Sequence, residues 1–385
     1  MQHLVFVLNH FPNPRLNRRL RLLQNDAQLS VICIDRQGQN IGKIRLEQVA
    51  YYIQSMDLPD SSHLLRRAII SRRFHHFALH LLHQLKPDVI YTEGLDALLS
   101  AAAYKKRAAF APRLVYEVAD LRERFLQPGR NFIDEQLSSA VRRSEERALS
   151  SVDRLVVTSP KFYEVRYAPH LSSDRVLFIP NAPDPAPFST YRPHQGAFTV
   201  GFIGSLRYVP QMKQLIDAAR IADCQVLFAG GGSGSTEQKE LEHYAAGDPR
   251  IRFYGAYNYD RDIAALYGQV DAVYAVYNNE NPNVKLALPN KLYEAALCGL
   301  PLLVASQTYL ADIVTSQQIG IAVDPRAPHP DAPDSLATAL RRLKDDAALR
   351  HALGENGRKQ ANPWMKHDAE QLLKEWILQT NTDTK

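Results

Sequence analysis

The sequence predicts an α/β chain built from two doubly wound parallel sheets in series. Three observations predict it. Short apolar runs alternate with amphipathic segments along most of the chain, the pattern of parallel strands covered by helices on both faces. The alternation breaks once, at 180–193, PNAPDPAPFSTYRP, where five prolines make a stiff linker and a domain boundary. After the break, successive apolar runs end in glycine. Ligands of such sheets sit at those strand ends.

Taken in order, LVFVLN (4–9) and LSVICID (29–35) read as strands around a helix near 14–24. Residues 40–58 fit neither period. A basic helix follows over about 61–84, then strands at 88–93, 113–118, 153–159 and 175–181, with helices over 95–107 and 132–150. Beyond the linker, strands at 198–204, 224–230, 250–255, 270–277, 301–306 and 320–324 alternate with helices near 210–221, 236–246, 260–268, 290–298 and 308–316. A last amphipathic helix spans 363–379 through Trp364, Leu372, Leu373, Trp376 and Ile377. The domains so defined are 1–185 with helix 363–380, and 195–360.

With 385 residues, 45% hydrophobic and 23% charged, the chain has room for two such cores. No apolar run approaches the roughly 20 residues of a membrane span, and MQHLVFVLNH has no basic stretch of a secretion signal. Cys33, Cys224 and Cys298 are scattered over core elements, so disulfides and metal clusters are not expected, and a reducing cytoplasm is. The net charge of +5 is uneven: 1–195 holds 27 Lys and Arg against 19 Asp and Glu, the remainder 19 against 22. Clusters at Arg15, Arg18, Arg19 and Arg21, at Arg66, Arg67, Arg72 and Arg73, and at Lys105, Lys106 and Arg107 suit an acidic lipid surface, an anionic acceptor or plain solvent. No nucleic-acid motif accompanies them.

The stretch NVKLALPNKLYEAALCGLPLLVAS (283–306) concentrates the chemistry. Pro289 suits a first helical turn, Asn290 a helix cap, and Gly299 a helix end. A helix start collects anions, and Lys285 and Lys291 add positive charge there. Glu294 lies one turn inside; a carboxylate there repels phosphate but accepts hydrogen bonds from a sugar diol. Lys291 and Glu294, three apart, also fit an ordinary surface ion pair. Gly204–Ser205–Leu206–Arg207, Gly230–Gly231–Gly232 and Gly255–Ala256–Tyr257 end the neighbouring strands. None is GxGxxG or GxxxxGK[ST], which argues against a nicotinamide dehydrogenase and a P-loop enzyme.

The order FIGSLR, LFAGGG, RFYGAY and PNKLYEAALCGLPLLVAS, with VLFIPNAPDPAPF before it, resembles the GT-B glycosyltransferases, the family-4-like group especially. The resemblance runs over about 153–378 and is softer before that. It implies two Rossmann-like domains facing across a cleft, with the terminal helix crossing back to the first. It also implies a nucleotide-sugar donor bound by the second domain. Glu294 matches the ribose-binding acidic residue. Leu286 stands where the family often has a second glutamate, leaving Asn283 and Lys285 as substitutes. Ser205 and Pro210 stand where it places arginine and lysine for the diphosphate, so Arg207, Lys291 and Lys285 are the candidate cations. Gly204, Gly231 and Gly255 allow close approach of the donor, and Tyr257 fits either stacking on the base or plain packing at the surface. In the first domain, VYEVADL matches a segment ending in His-Asp. Ala119 replaces the histidine and Asp120 remains.

The resemblance implies transfer of a hexosyl group from a UDP- or GDP-sugar, without metal or other cofactor, to a lipid-linked or saccharide acceptor in bacterial surface polysaccharide or glycolipid synthesis. The resemblance favours retention of configuration. An inverting enzyme would need a base, for which Asp120 comes first, then Glu117 and Glu93. His10 and Arg15 lie where the acceptor would enter. The expected place is the cytoplasm, possible contact with an anionic membrane being left to the basic clusters. A non-catalytic sugar-nucleotide or polyanion binding protein and a nucleotide-sugar epimerase are the competing readings.

Overall fold

The computed structural model describes residues 1–36, 45–56, 64–126, 131–231, 235–326, 329, 331–332, 335–365 and 368–379. Gly232 and the side chains of Arg66 and Arg67 lie outside what is described. The chain forms two compact units, Met1–Pro180 with His367–Lys385, and Asn181–Lys366.

The first unit carries β1 (His3–Leu8), β2 (Gln28–Arg36), β3 (Val49–Met56), β4 (Val89–Glu93), β5 (Arg113–Val118), β6 (Arg154–Val157) and β7 (Val176–Phe178). All pair in parallel, in the order β3-β2-β1-β4-β5-β6-β7. Leu4 to Leu8 have no exposed surface, as a strand covered on both faces requires. The second unit carries β8 (Thr199–Ile203), β9 (Gln225–Ala229), β10 (Ile251–Gly255), β11 (Ala272–Ala275), β12 (Leu302–Ala305) and β13 (Gly320–Val323). Their order is β10-β9-β8-β11-β12-β13, again parallel. Each sheet reverses its strand order once, between β1 and β4 and between β8 and β11. The loops at those reversals diverge and leave a crevice at the carboxyl edge.

Two differences from the sequence reading stand out. The ambiguous stretch before 58 contains β3, VAYYIQSM, which among the described residues pairs with β2 and ends the sheet order. The expected single helix over 363–379 is two helices, Ala347–Met365 and Asp368–Leu378. Pro363 lies inside the first of them. Trp364 packs edge-on to Tyr293 in the second unit, ring centroids 5.5 Å apart. Trp376 lies under Arg113 and Arg154 in the first unit, at 5.1 and 5.3 Å. Periodicity runs through both helices, so it could not mark the break. Leu372, assigned to the apolar face, is 55% exposed.

The helix Asp368–Leu378 completes the first core. Leu373 and Ile377 are buried among Leu4, Phe6, Leu16 and Leu20. Arg113 donates to the carbonyls of Trp376 and Ile377, satisfying two of the groups a helix end leaves open. Arg18 and Arg19 both bond Glu370, and Lys374 lies 2.6 Å from Asp26. Leu373→Ala is expected to cost about 2–5 kcal/mol, the usual range for an emptied core site. A fall in the urea midpoint, with circular dichroism otherwise unchanged, would check it.

Candidate active site

In the first unit, strand register assembles the polar cluster. Leu8 on β1 pairs with Glu93 on β4, and Glu93 with Glu117 on β5. Two carboxylates therefore stand side by side on the face covered by the helix Pro14–Leu23. Arg15 resolves their repulsion: its Nη2 donates to Glu93 at 2.6 Å and its Nε lies 2.9 Å from Glu117. Glu117 has no exposed surface; Tyr91 donates to its other oxygen and Arg19 lies 3.7 Å away. Three arginines of the first basic cluster, Arg15, Arg18 and Arg19, are thus partnered within the fold, and Arg21 is exposed.

His10, just past β1, bonds the Phe11 carbonyl through Nδ1 at 2.8 Å and turns Nε2 toward Glu93 at 3.6 Å. Burial opposes a charge on its ring. The hydrogen bond and charge of Glu93 outweigh burial and hold its pKa above the usual histidine value. Burial likewise opposes the Glu93 charge, and His10 and Arg15 together bring that carboxyl below its usual range. Asp120, two residues beyond β5, is exposed. The structure therefore gathers His10, Arg15, Glu93 and Glu117 at one strand reversal.

In the second unit, three glycine turns lie edge to edge. The Gly204 amide donates to Ala229 at 2.7 Å and the Gly230 amide to Gly255 at 2.8 Å. Gly204, Gly230, Gly231 and Gly255 have φ of +146°, +129°, +79° and +83°. A side chain on Gly230 would strike the Gly204 carbonyl, and one on Gly204 would meet the Lys291 ammonium at 2.7 Å. Space and backbone angle together demand glycine at Gly230, and the backbone angle demands it at Gly204.

Lys291 and Glu294 do not form the surface ion pair that their spacing allows. Both are buried, at 8% and 4% exposure. Among the described residues no carboxylate lies within ion-pair distance of Lys291. Its ammonium sits 4.3 Å from the Phe202 ring and 5.8 Å from that of Tyr277, held by the negative ring faces. Glu294 accepts from Tyr259 at 2.7 Å and from Tyr267 at 2.6 Å. The helix Asn290–Cys298 is capped by Pro289, with no side-chain cap; Asn290 is its first residue and accepts instead from Asn181 of the linker. Asn283 and Lys285 occupy a separate short helix, Pro282–Leu286, with Lys285 exposed. Ser205 and Arg207 are exposed and bonded to each other at 3.2 Å. Tyr257 is half-buried against the second core, and burial together with Glu294 pushes its phenol well up. A groove of about 330 Å³, lined by Arg207, Tyr208, Gln211, Asn278 and Arg326 among others, opens at the reversal between β8 and β11.

Tyr259, Tyr267 and Phe202 escape a reading of the sequence. They lie 35, 27 and 89 positions before the residues they hold, and nothing local marks such a contact.

Residues 189–360 match the family description "Glycosyl transferases group 1", and residues 15–182 match "Glycosyl transferase 4-like domain". The chain belongs to the group 1 glycosyltransferases, with a first half of the 4-like type and the two Rossmann-like domains of the GT-B plan. Among curated proteins it is similar to the succinoglycan biosynthesis protein ExoL of Rhizobium meliloti, 27% identical over 257 residues. That alignment covers 63% of this chain and 62% of the relative's length. Among solved structures it is similar to sucrose-phosphate synthase from Thermosynechococcus elongatus, with a TM-score of 0.69, 15% identity and 98% of both chains covered. It is also similar to Anabaena HepE in complex with UDP, with a TM-score of 0.66, 17% identity, and 98% and 99% covered. At these identities the structures speak for the fold.

The His10–Glu93 contact makes stability depend on pH. Because the folded pKa of His10 is raised, its contribution is full below the unfolded value near 6.5. It is lost as pH rises through the folded value. The stability difference between the wild type and His10→Gln, measured by urea unfolding from pH 5 to pH 9, is expected to be largest at the acid end and to shrink upward. A side chain 38% exposed keeps the effect small.

Proposed function

We propose that the protein moves a sugar from a nucleoside diphosphate sugar to a saccharide or lipid-linked acceptor, in the assembly of a surface polysaccharide or glycolipid. The observation that carries this reading is Lys291, an almost buried cation without an ion-pair partner among the described residues, set over Gly204 and one turn before Glu294. A cation so placed suits a diphosphate, and the glycine ledge lets the diphosphate approach the backbone. Glu294 suits the ribose diol, and Gly231, Gly255 and Tyr257 the base. The printed description of the relative from Rhizobium meliloti, a succinoglycan biosynthesis protein, supports a polysaccharide setting. The complexes of HepE with UDP, and with UDP and glucose, support a uridine donor.

Bond cleavage leaves negative charge on the departing phosphate. Lys291 and Arg207 stabilise it there, so transfer does not require a divalent cation. His10 and Arg15 stand on the acceptor side. The reaction retains configuration, the departing phosphate taking the acceptor proton. Glu117, fully buried and bonded to Tyr91, holds Arg15, and Asp120, three residues further along the chain, is exposed. No described helix is long and apolar enough to cross a membrane. The exposed stripe of Ile69, Arg72, Arg73, His76 and His80 on the helix Leu64–Leu85 suits peripheral contact with anionic lipid on the cytoplasmic side.

Lys291→Met is expected to lower kcat by about 10²-fold, as loss of one donor to a developing charge does, with transfer by the wild type persisting in excess EDTA. Asp120→Asn is expected to change kcat by less than the roughly 10²-fold or more that loss of a general base costs. Calorimetry with UDP and GDP, and transfer assays from the corresponding sugars to lipid-linked acceptors, measure these. Undiminished nucleotide affinity in Lys291→Met would overturn the donor-site assignment.

A further inference from the structure

We propose that Tyr259 and Tyr267 are positioning residues of the donor site, which hold the Glu294 carboxylate with one lone pair on each oxygen free for a vicinal diol, and so set a preference for ribonucleotides over 2′-deoxyribonucleotides. The proposal rests on the donor-site reading above and assigns roles to two residues outside it.

The chain treats its buried carboxylates in two ways. Glu117 is met by Arg15 and Arg19. Glu145, with no exposed surface, is met by Arg166 at 3.1 Å as well as by Tyr116 and Tyr167. Glu370 is met by Arg18 and Arg19. Glu294 is 4% exposed, and among the described residues no cation lies within ion-pair distance of it. The nearest candidate in sequence, Lys291, turns to the Phe202 ring instead. Among the described residues two phenols reach Glu294, one on each oxygen.

This difference has a chemical meaning. A guanidinium beside a carboxylate, as at Glu117, Glu145 and Glu370, cancels its charge. Two phenols orient the group, each taking one lone pair, and leave its charge in place. A carboxylate has about four lone-pair sites, so about two remain, one per oxygen. That is the acceptor pattern of two adjacent hydroxyls. Burial and the Glu294 charge push both phenols upward, so they stay protonated donors at working pH. Tyr259 opens the helix Tyr259–Tyr267 and Tyr267 closes it, so one rigid element sets both bonds.

A merely structural role would stitch this helix to Asn290–Cys298 and nothing more. Calorimetric titration of the full chain distinguishes the two. The probes are UDP and 2′-deoxy-UDP, with GDP and 2′-deoxy-GDP as the purine pair. In Tyr259→Phe, affinity for the ribonucleotide that the wild type binds is expected to fall about five- to tenfold, while its deoxy counterpart binds as before. The discrimination ratio then falls toward one, and Tyr267→Phe moves it the same way. Equal loss for both sugars, or no loss, in either folded variant overturns the proposal. Glu294→Gln separates the two levels. If it keeps the full ribose preference, or if no nucleotide binds the wild type, the donor-site reading itself fails. If Glu294→Gln erases the preference and Tyr259→Phe keeps it, only the positioning role fails.

Discussion

The hydrogen-bonded ledge of Gly204, Gly230 and Gly255 is the constraint on which the rest of the second unit's site depends. Adjacent parallel strands lie about 4.8 Å apart, and three of their turns are here joined amide to carbonyl. The central turn, at Gly230, accepts no Cβ, because one would strike the Gly204 carbonyl. The space left by the missing side chains is what admits the Lys291 ammonium. Its stem comes from another element, the helix Asn290–Cys298, packed beyond β11. The site's positive charge is therefore rooted in the core, and its long side chain is ordered by Phe202 before any ligand arrives. Less entropy remains to be lost on binding than for a free surface lysine.

Buried charge is handled with similar economy in the first unit, but to the opposite end. Parallel register forces Glu93 and Glu117 together, and one guanidinium bridges them. Removing either partner would leave an uncompensated charge inside, the costly case for a buried pair. His10 adds a proton-dependent tie at the outer edge of this cluster. The arrangement thus runs from a rigid interior, Tyr91–Glu117–Arg19, to an adjustable rim at His10.

Much of this was legible in the sequence, and the failures have physical reasons. Strand and helix alternation, the proline break and the glycine strand ends marked both sheets, because each is a local property of backbone and burial. Lys291 and Glu294 were legible as a charged pair at a helix start. Their partners were not, since Phe202, Tyr259 and Tyr267 meet them only through tertiary packing. Asn290 reads as a cap from composition, yet Pro289, already extended, takes that position and leaves the asparagine to Asn181. The arginines of the first helix read as surface charge, because nothing local indicates that Glu93, Glu117 and Glu370 lie beneath them. The terminal break between Trp364 and Trp376 was hidden by a continuous amphipathic period.

The return of the helix Asp368–Leu378 to the first unit has a consequence for how the protein is made. Arg18 and Arg19 reach Glu370 across 352 and 351 positions of chain. While the polypeptide is being synthesised, its amino-terminal sheet emerges first and can begin to collapse. Arg19, 1% exposed in the finished fold, then has no Glu370 to meet, and the slot for Leu373 and Ile377 stands open. The second unit, continuous in sequence, waits for nothing beyond its own end. The half that starts synthesis is thus the half that finishes folding last. A nascent or prematurely terminated chain displays an open apolar groove beside two arginines that still lack Glu370, a surface that differs from that of the completed protein.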